Sequence, residues 1–180
     1  MVVSTILYFM TKAKGYSLWF MPFGEIYDNL SNLIFQLSKE YSTPEFEPHI
    51  TLIGEVIGLD DEIIKKTSQL ANLIKPYSIQ LTTVDYLDEY FKCLFIKAEK
   101  TDDLMEVNSK AREIFNRQEG SEYIPHLSLM YGNFPPEVRE EIIKKMGKNF
   151  NLSFEIRSIH LFKTEGEVKD WYRVKEFILE

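Results

Sequence analysis

The phrase EPHITL at Glu47–Leu52 returns almost unchanged as IPHLSL at Ile124–Leu129, and the two copies hold two of the chain's three histidines. On a strand, side chains two apart point the same way, so His49 and Thr51 share one face while Ile50 and Leu52 take the other. His126 and Ser128 pair up likewise, backed by Leu127 and Leu129. Packing explains the apolar positions but not the matched histidine and hydroxyl in each copy. Two imidazoles that titrate near neutrality can serve as general base and general acid. Two hydroxyls can hydrogen-bond to oxygens on which charge must be held in a transition state. That set suits in-line displacement on a phosphodiester, one histidine deprotonating water and the other protonating the departing oxygen. An internal cyclic phosphodiester is the easiest to open. Two histidines fall short of the three or four protein ligands that zinc takes, so neither a metal nor another cofactor is expected. His160, between Ile159 and Leu161, has no such companion and reads as structural.

The elements around these phrases alternate between strand and helix patterns. GYSLWFMP (Gly15–Pro22) has strand composition, and residues 25–41 place Ile26, Leu30, Leu33, Ile34, Leu37 and Tyr41 at helical spacing, ending before Pro44. After the first phrase, a helix capped by Asp60 carries Ile63, Thr67, Leu70 and Ile74 along one stripe and stops before Pro76. Two strands follow, YSIQLTTVDYL and FKCLFIKAE, separated by the polar DEY. The second half repeats the order. A helix with Leu104, Val107, Ala111 and Ile114 inward precedes the second phrase, and a helix begun by Pro135 and Pro136 follows it. Then come NLSFEIRSIHLFKT and WYRVKEFILE, two strands joined by EGEVKD. Each half thus reads helix, histidine strand, helix, two strands, a duplication visible in element order. If the halves pack about a pseudo-twofold axis, both histidine faces converge on one cleft. NRQEGSEY (Asn116–Tyr123) reads as the mobile loop.

Composition narrows the function further. At 180 residues, with 44% hydrophobic and 14% aromatic residues, the chain suits one domain with a real core. Its one cysteine, Cys93, excludes an internal disulfide and a cysteine-built zinc site, and fits the cytoplasm. The opening MVVSTILYFM is short and its lysines come after it, the wrong side for a secretory signal, so residues 1–14 read as a first strand or an extension. No run is long enough to span a bilayer. A net charge of −7 argues against long nucleic acid and favours a small substrate.

Duplicated H-x-[ST] phrases in a two-lobed α+β chain resemble the 2H phosphoesterases, and within them the plant and yeast cyclic phosphodiesterases that act on ADP-ribose 1″,2″-cyclic phosphate. YSLWFMP near the start, YFKCLF in the middle, and LFKT followed by an aromatic final strand extend the resemblance from Gly15 onward. It implies a duplicated fold in which antiparallel sheets line a central cleft, with helices outside. It implies His49 and His126 as the acid/base pair, with His126 activating water and His49 as the acid, and Thr51 and Ser128 as phosphate-holding hydroxyls. Trp19, Phe91 and Tyr131 fall where the family places aromatics around base or sugar. Set apart from the resemblance, each of these aromatics reads as core. Strict alternation from His126 puts Tyr131 on the wrong face, so it reaches the cleft only if the strand bends or ends near Met130. The resulting expectation is a soluble, monomeric, cytoplasmic phosphoesterase that opens a small nucleotide-derived cyclic phosphate. The alternatives are an RNA-end or 2′,5′-linkage enzyme, and a nucleotide-binding module without turnover.

Overall fold

The computed structural model describes residues 12–117 and 122–180. The apolar opening through Thr11 and the centre of the expected mobile loop, Gln118–Ser121, lie outside the described residues. Eight strands are present: β1 (Tyr16–Phe20), β2 (Ile50–Val56), β3 (Tyr77–Asp85), β4 (Leu94–Ala98), β5 (His126–Met130), β6 (Asn149–Ile156), β7 (Ser158–Lys163) and β8 (Tyr172–Ile178). Four helices separate them: α1 (Glu25–Tyr41), α2 (Asp60–Ala71), α3 (Asp102–Ile114) and α4 (Pro136–Met146).

The strands form one antiparallel sheet in the order β6-β3-β4-β5-β2-β1-β7-β8. Its two lobes meet where β2 pairs with β5, at Ile50 opposite Leu127. Those are the residues directly after the two motif histidines, so the pseudo-twofold axis runs between them. The duplicated halves do not each build a lobe. β3 and β4 of the first half lie between β6 and β5 of the second, and β7 and β8 of the second half continue the sheet beyond β2 and β1 of the first. The helices exchange too: α1 packs behind β5, α3 behind β2, and α2 behind β7 and β8.

The exchange explains one departure from the sequence reading. NLSFEIRSIHLFKT is two strands, broken at Arg157, because its first part pairs with β3 in one lobe and its second with β1 in the other. No single straight strand spans both. A second departure is at α2. Asp60 is its first residue and gives no capping bond; its carboxylate accepts the Tyr16 hydroxyl instead. The helix ends at Ala71, and a turn bonding the Ile74 amide to the Ala71 carbonyl at 3.2 Å still buries Ile74. A third is the start of β4: Tyr90–Lys92 form a 3₁₀ turn, so Phe91 belongs to the connection rather than to the strand. Residues 12–14 add a single bridge, Ala13 to Gly166, in the register that pairs β1 with β7.

Alternation sorts the sheet into two faces. Leu18, Phe20, Ile50, Leu52, Ile96, Leu127, Leu129, Ile159 and Leu161 are buried in the main core, which also takes Leu30, Ile34 and Leu37 from α1. Ser17, Trp19, His49, Thr51, His126 and Ser128 line the cavity on the opposite face. Burying a side chain such as Leu127 contributes roughly 1.5–3 kcal/mol, so a one-residue slip that turned the β2 and β5 motifs over would exchange several such terms for buried imidazoles.

Candidate active site

The pairing of Ile50 with Leu127 fixes the centre of the site. One step either way along that register sets His49 across from Ser128 and Thr51 across from His126. Each imidazole therefore has the other copy's hydroxyl residue as its cross-strand neighbour. Both histidines are held alike: Nδ1 of His49 donates to the Glu47 carbonyl at 2.6 Å, and Nδ1 of His126 donates to the Ile124 carbonyl at 2.6 Å. A carbonyl only accepts, so each Nδ1 carries a proton and each Nε2 is the atom that exchanges one. Pro48 and Pro125 sit between histidine and acceptor, stiffening that short loop.

The cavity has a volume of about 420 Å³, and all seven residues expected at the site line it: His49, Thr51, His126, Ser128, Trp19, Phe91 and Tyr131. Tyr131 follows the last residue of β5, and the strand's end at Met130 frees it from alternation. Its hydroxyl lies 3.5 Å from Nε2 of His49, long for a hydrogen bond, and its ring stacks on Phe46 at 3.9 Å. Trp19 takes a different place from a base platform. On β1, between β2 and β7, it stacks against His49 at 3.5 Å on one side and Phe162 at 3.9 Å on the other. Both its faces are covered, so it holds the imidazole and offers a ligand only its edge. Phe91 hangs over the cavity from its turn, where its carbonyl accepts the Ser128 hydroxyl at 3.0 Å.

Burial sets the electrostatics. It pushes the His49 pKa down to about 3, with the nearby His126 adding to the effect, and the Glu47 carbonyl opposing it. His126 is lowered as well, again by burial first, with Lys92 lowering it further and the Ile124 carbonyl and Glu89 opposing. Both imidazoles are thereby neutral at pH 7. His160, as expected, lies apart: it is buried, with Nε2 3.0 Å from the Ser158 hydroxyl, and does not line the cavity.

The sequence reading passed over four features. Lys92 is the only lysine or arginine among the described residues lining this cavity, and forms an ion pair with Glu89 at 2.7 Å. It stood next to Phe91 in YFKCLF, where its charge was the available signal. Trp171 closes the aromatic side, 6.0 Å from Phe91 and 6.1 Å from Tyr131. Glu47 accepts hydrogen bonds on its carboxylate from Tyr27 at 2.9 Å and Arg173 at 3.2 Å, clamping the residue whose carbonyl orients His49. Asn108 reaches the β2 carbonyl of Leu52 from α3 at 2.7 Å. Among the described residues no three His, Cys, Asp or Glu side chains are grouped as a metal site needs, and no helix is long and apolar enough to cross a membrane.

A family model described as cyclic phosphodiesterase-like protein matches residues 14–179. The chain belongs to the cyclic phosphodiesterase-like family. That family of enzymes falls within the 2H phosphoesterase superfamily. A cyclic phosphodiesterase of Arabidopsis thaliana is 28% identical over 162 residues, covering 88% of this chain and 90% of the relative. A 2′,3′-cyclic-nucleotide 3′-phosphodiesterase of Yarrowia lipolytica is 25% identical over 207 residues, covering 87% and 96%. Among solved structures, TT0787 of Thermus thermophilus superposes with a TM-score of 0.70 at 16% identity, covering 92% of this cyclic phosphodiesterase-like chain and 97% of the other. Escherichia coli LigT complexed with 3′-AMP gives 0.60 at 14% identity, covering 93% and 99%. At such identities the structural likenesses carry the fold of the family: a curled antiparallel sheet with four helices.

Proposed function

We propose that this cyclic phosphodiesterase-like protein hydrolyses a small nucleotide-derived cyclic phosphate to a phosphomonoester, with His49 and His126 as the acid/base pair. Its substrate is ADP-ribose 1″,2″-cyclic phosphate or a nucleoside 2′,3′-cyclic phosphate. The observation that carries this is the convergence of both histidine/hydroxyl pairs on one cavity about the Ile50–Leu127 pairing, each Nε2 left as the proton-exchanging atom. The name of the Yarrowia relative supports a 2′,3′-cyclic substrate opened at its 3′ oxygen.

In this mechanism the cyclic phosphate lies between the imidazoles, Thr51 and Ser128 turn their hydroxyls to its non-bridging oxygens, and Lys92 balances its charge. For Ser128 this means giving up the Phe91 carbonyl in favour of phosphate. One neutral imidazole deprotonates water as it attacks phosphorus; the other, protonated, delivers its proton to the departing sugar oxygen. With His126 as base and His49 as acid, the proton must reside on an imidazole whose pKa burial has pushed down to about 3, so the bound phosphate's negative charge has to lift the His49 pKa. A leaving-group series tests that polarity. His49→Ala should regain activity on a phosphodiester whose leaving group needs no proton, while His126→Ala should not; the reverse pattern would exchange the roles.

The first experiment is turnover of both substrate types in EDTA, followed by phosphorus NMR. Hydrolysis that survives the chelator, giving a 2′-monophosphate from the nucleoside substrate, is the expected result. No hydrolysis of either by folded protein would sink the proposal and leave a binding module or an RNA-end enzyme. The net charge of −7 weighs against the latter, which needs a basic track for the strand.

A further inference from the structure

Among the described residues, Arg139 is the one lysine or arginine that is buried, at 3% exposure. Taking a guanidinium out of water is costly unless its donors and charge are met, so its surroundings show what it holds. They are three consecutive residues: the ring of Tyr86 lies 4.6 Å from the guanidinium carbon, the Leu87 carbonyl accepts from Nη1 at 2.7 Å, and the Asp88 carboxylate lies 3.8 Å from Nη2. Nε has no acceptor among the described residues. The Asp88 side chain is fully exposed, so water weakens that charge pair and the ring and the Leu87 carbonyl set the geometry.

Arg139 belongs to α4, whereas residues 86–88 open the connection from β3 to β4. That connection delivers Glu89, Phe91 and Lys92 to the site cavity, which Arg139 itself does not line. Hydrogen bonds run in sequence from the arginine to the catalytic face. Leu87 accepts from Arg139 on its carbonyl and donates its amide to the Lys92 carbonyl at 2.9 Å. The Lys92 amide donates to the Glu89 carbonyl at 3.0 Å, closing the 3₁₀ turn, and the Phe91 carbonyl inside that turn accepts the Ser128 hydroxyl. The Gly132 amide donates to the Tyr90 carbonyl at 3.0 Å. The turn is thus tied at its tip to β5 and the residues just beyond it, and at its base to Arg139.

We propose that Arg139 is a positioning residue: from outside the cavity it holds the turn that sets Lys92 toward the reacting phosphate. The role in turnover rests on the phosphodiesterase reading above. His49 and His126 are held by the pairing of β2 with β5 and by their own backbone acceptors, so proton transfer does not depend on Arg139. Lys92 meets a charge that the diester carries in the ground state as well as in the transition state. Misplacing it removes binding common to both, which raises KM and spares kcat.

The test is Arg139→Met, which keeps a long side chain, removes the donors and leaves no charge buried. With adenosine 2′,3′-cyclic phosphate, KM is expected to rise about ten-fold, with kcat within about two-fold of wild type. Arg139→Lys, still able to donate to Leu87, should recover part of the loss. In a Lys92→Met background, Arg139→Met should add little, because the residue it acts through is gone. A lower melting temperature with KM unchanged, a fall in kcat alone, or full additivity with Lys92→Met overturns the proposal. Should Arg139→Met not fold, Tyr86→Leu, which takes the ring from the guanidinium, decides: a KM about three-fold higher supports the role and an unchanged KM overturns it. If folded wild type turns over no cyclic phosphate, the phosphodiesterase reading has failed, and amide hydrogen exchange decides whether Arg139 holds the turn. Exchange about ten-fold faster in Arg139→Met at the Leu87 and Lys92 amides, and not along β2 and β5, supports it. Equal rates, or acceleration spread evenly over β2 and β5, overturn it.

Discussion

Burial leaves the two motif imidazoles neutral at pH 7, yet acid/base catalysis needs one proton between them. Substrate binding at pH 7 should therefore take up a proton, measurable as a binding enthalpy that varies with the ionisation enthalpy of the buffer; a buffer-independent enthalpy would contradict the pairing. The same depression places the maximum of kcat/KM, which reports the free enzyme, on the acid side of about pH 6.5. His49→Ala and His126→Ala should each lower kcat/KM by about 10²–10⁴-fold. Thr51→Val, which keeps shape and removes one donor, should cost less. Equal mild losses at all three positions would count against these roles. Much at this scale was legible in the sequence, because the H-x-[ST] alternation has a period of two and so specifies a face without knowledge of the fold. The covered faces of Trp19 were not legible, since they depend on which strands become neighbours.

Asn108 shows how an element holds the site. It is buried on the face of α3, and its amide reaches a β2 carbonyl in the middle of the first motif strand. Asn108→Ala leaves that carbonyl without this donor and should lower stability by about 1–3 kcal/mol, read as a lower urea midpoint, and should also release the Arg112 contact. Helical spacing marked the apolar stripe of α3 correctly but passed over Asn108, since a polar residue on a buried face is invisible to a hydrophobic pattern. Strand existence was similarly legible, whereas the break at Arg157 was not. Nothing local in NLSFEIRSIHLFKT announces that its two parts pair in different lobes.

For the molecule as a whole, His49, His126 and His160 all have folded pKa values depressed by burial. Unfolding exposes them to water, where they bind protons near pH 6.5, so below that pH the unfolded state holds more protons than the folded one. Stability should be level with respect to these groups above about pH 7 and fall as the pH drops, by up to about 1.4 kcal/mol per pH unit for each histidine. Urea midpoints from pH 7.5 to 4.5 would read this, and His160→Asn should flatten the slope; a midpoint independent of pH would contradict the buried neutral state. The strand exchange bears on the origin and assembly of the chain. Each half supplies strands whose partners belong to the other, so residues 12–100 and 101–180 produced as separate fragments should each remain unfolded and recover the fold only when mixed. A half-length ancestor could have closed this sheet only as a pair of interlocked copies, with what is now the Ile50–Leu127 contact as its dimer axis.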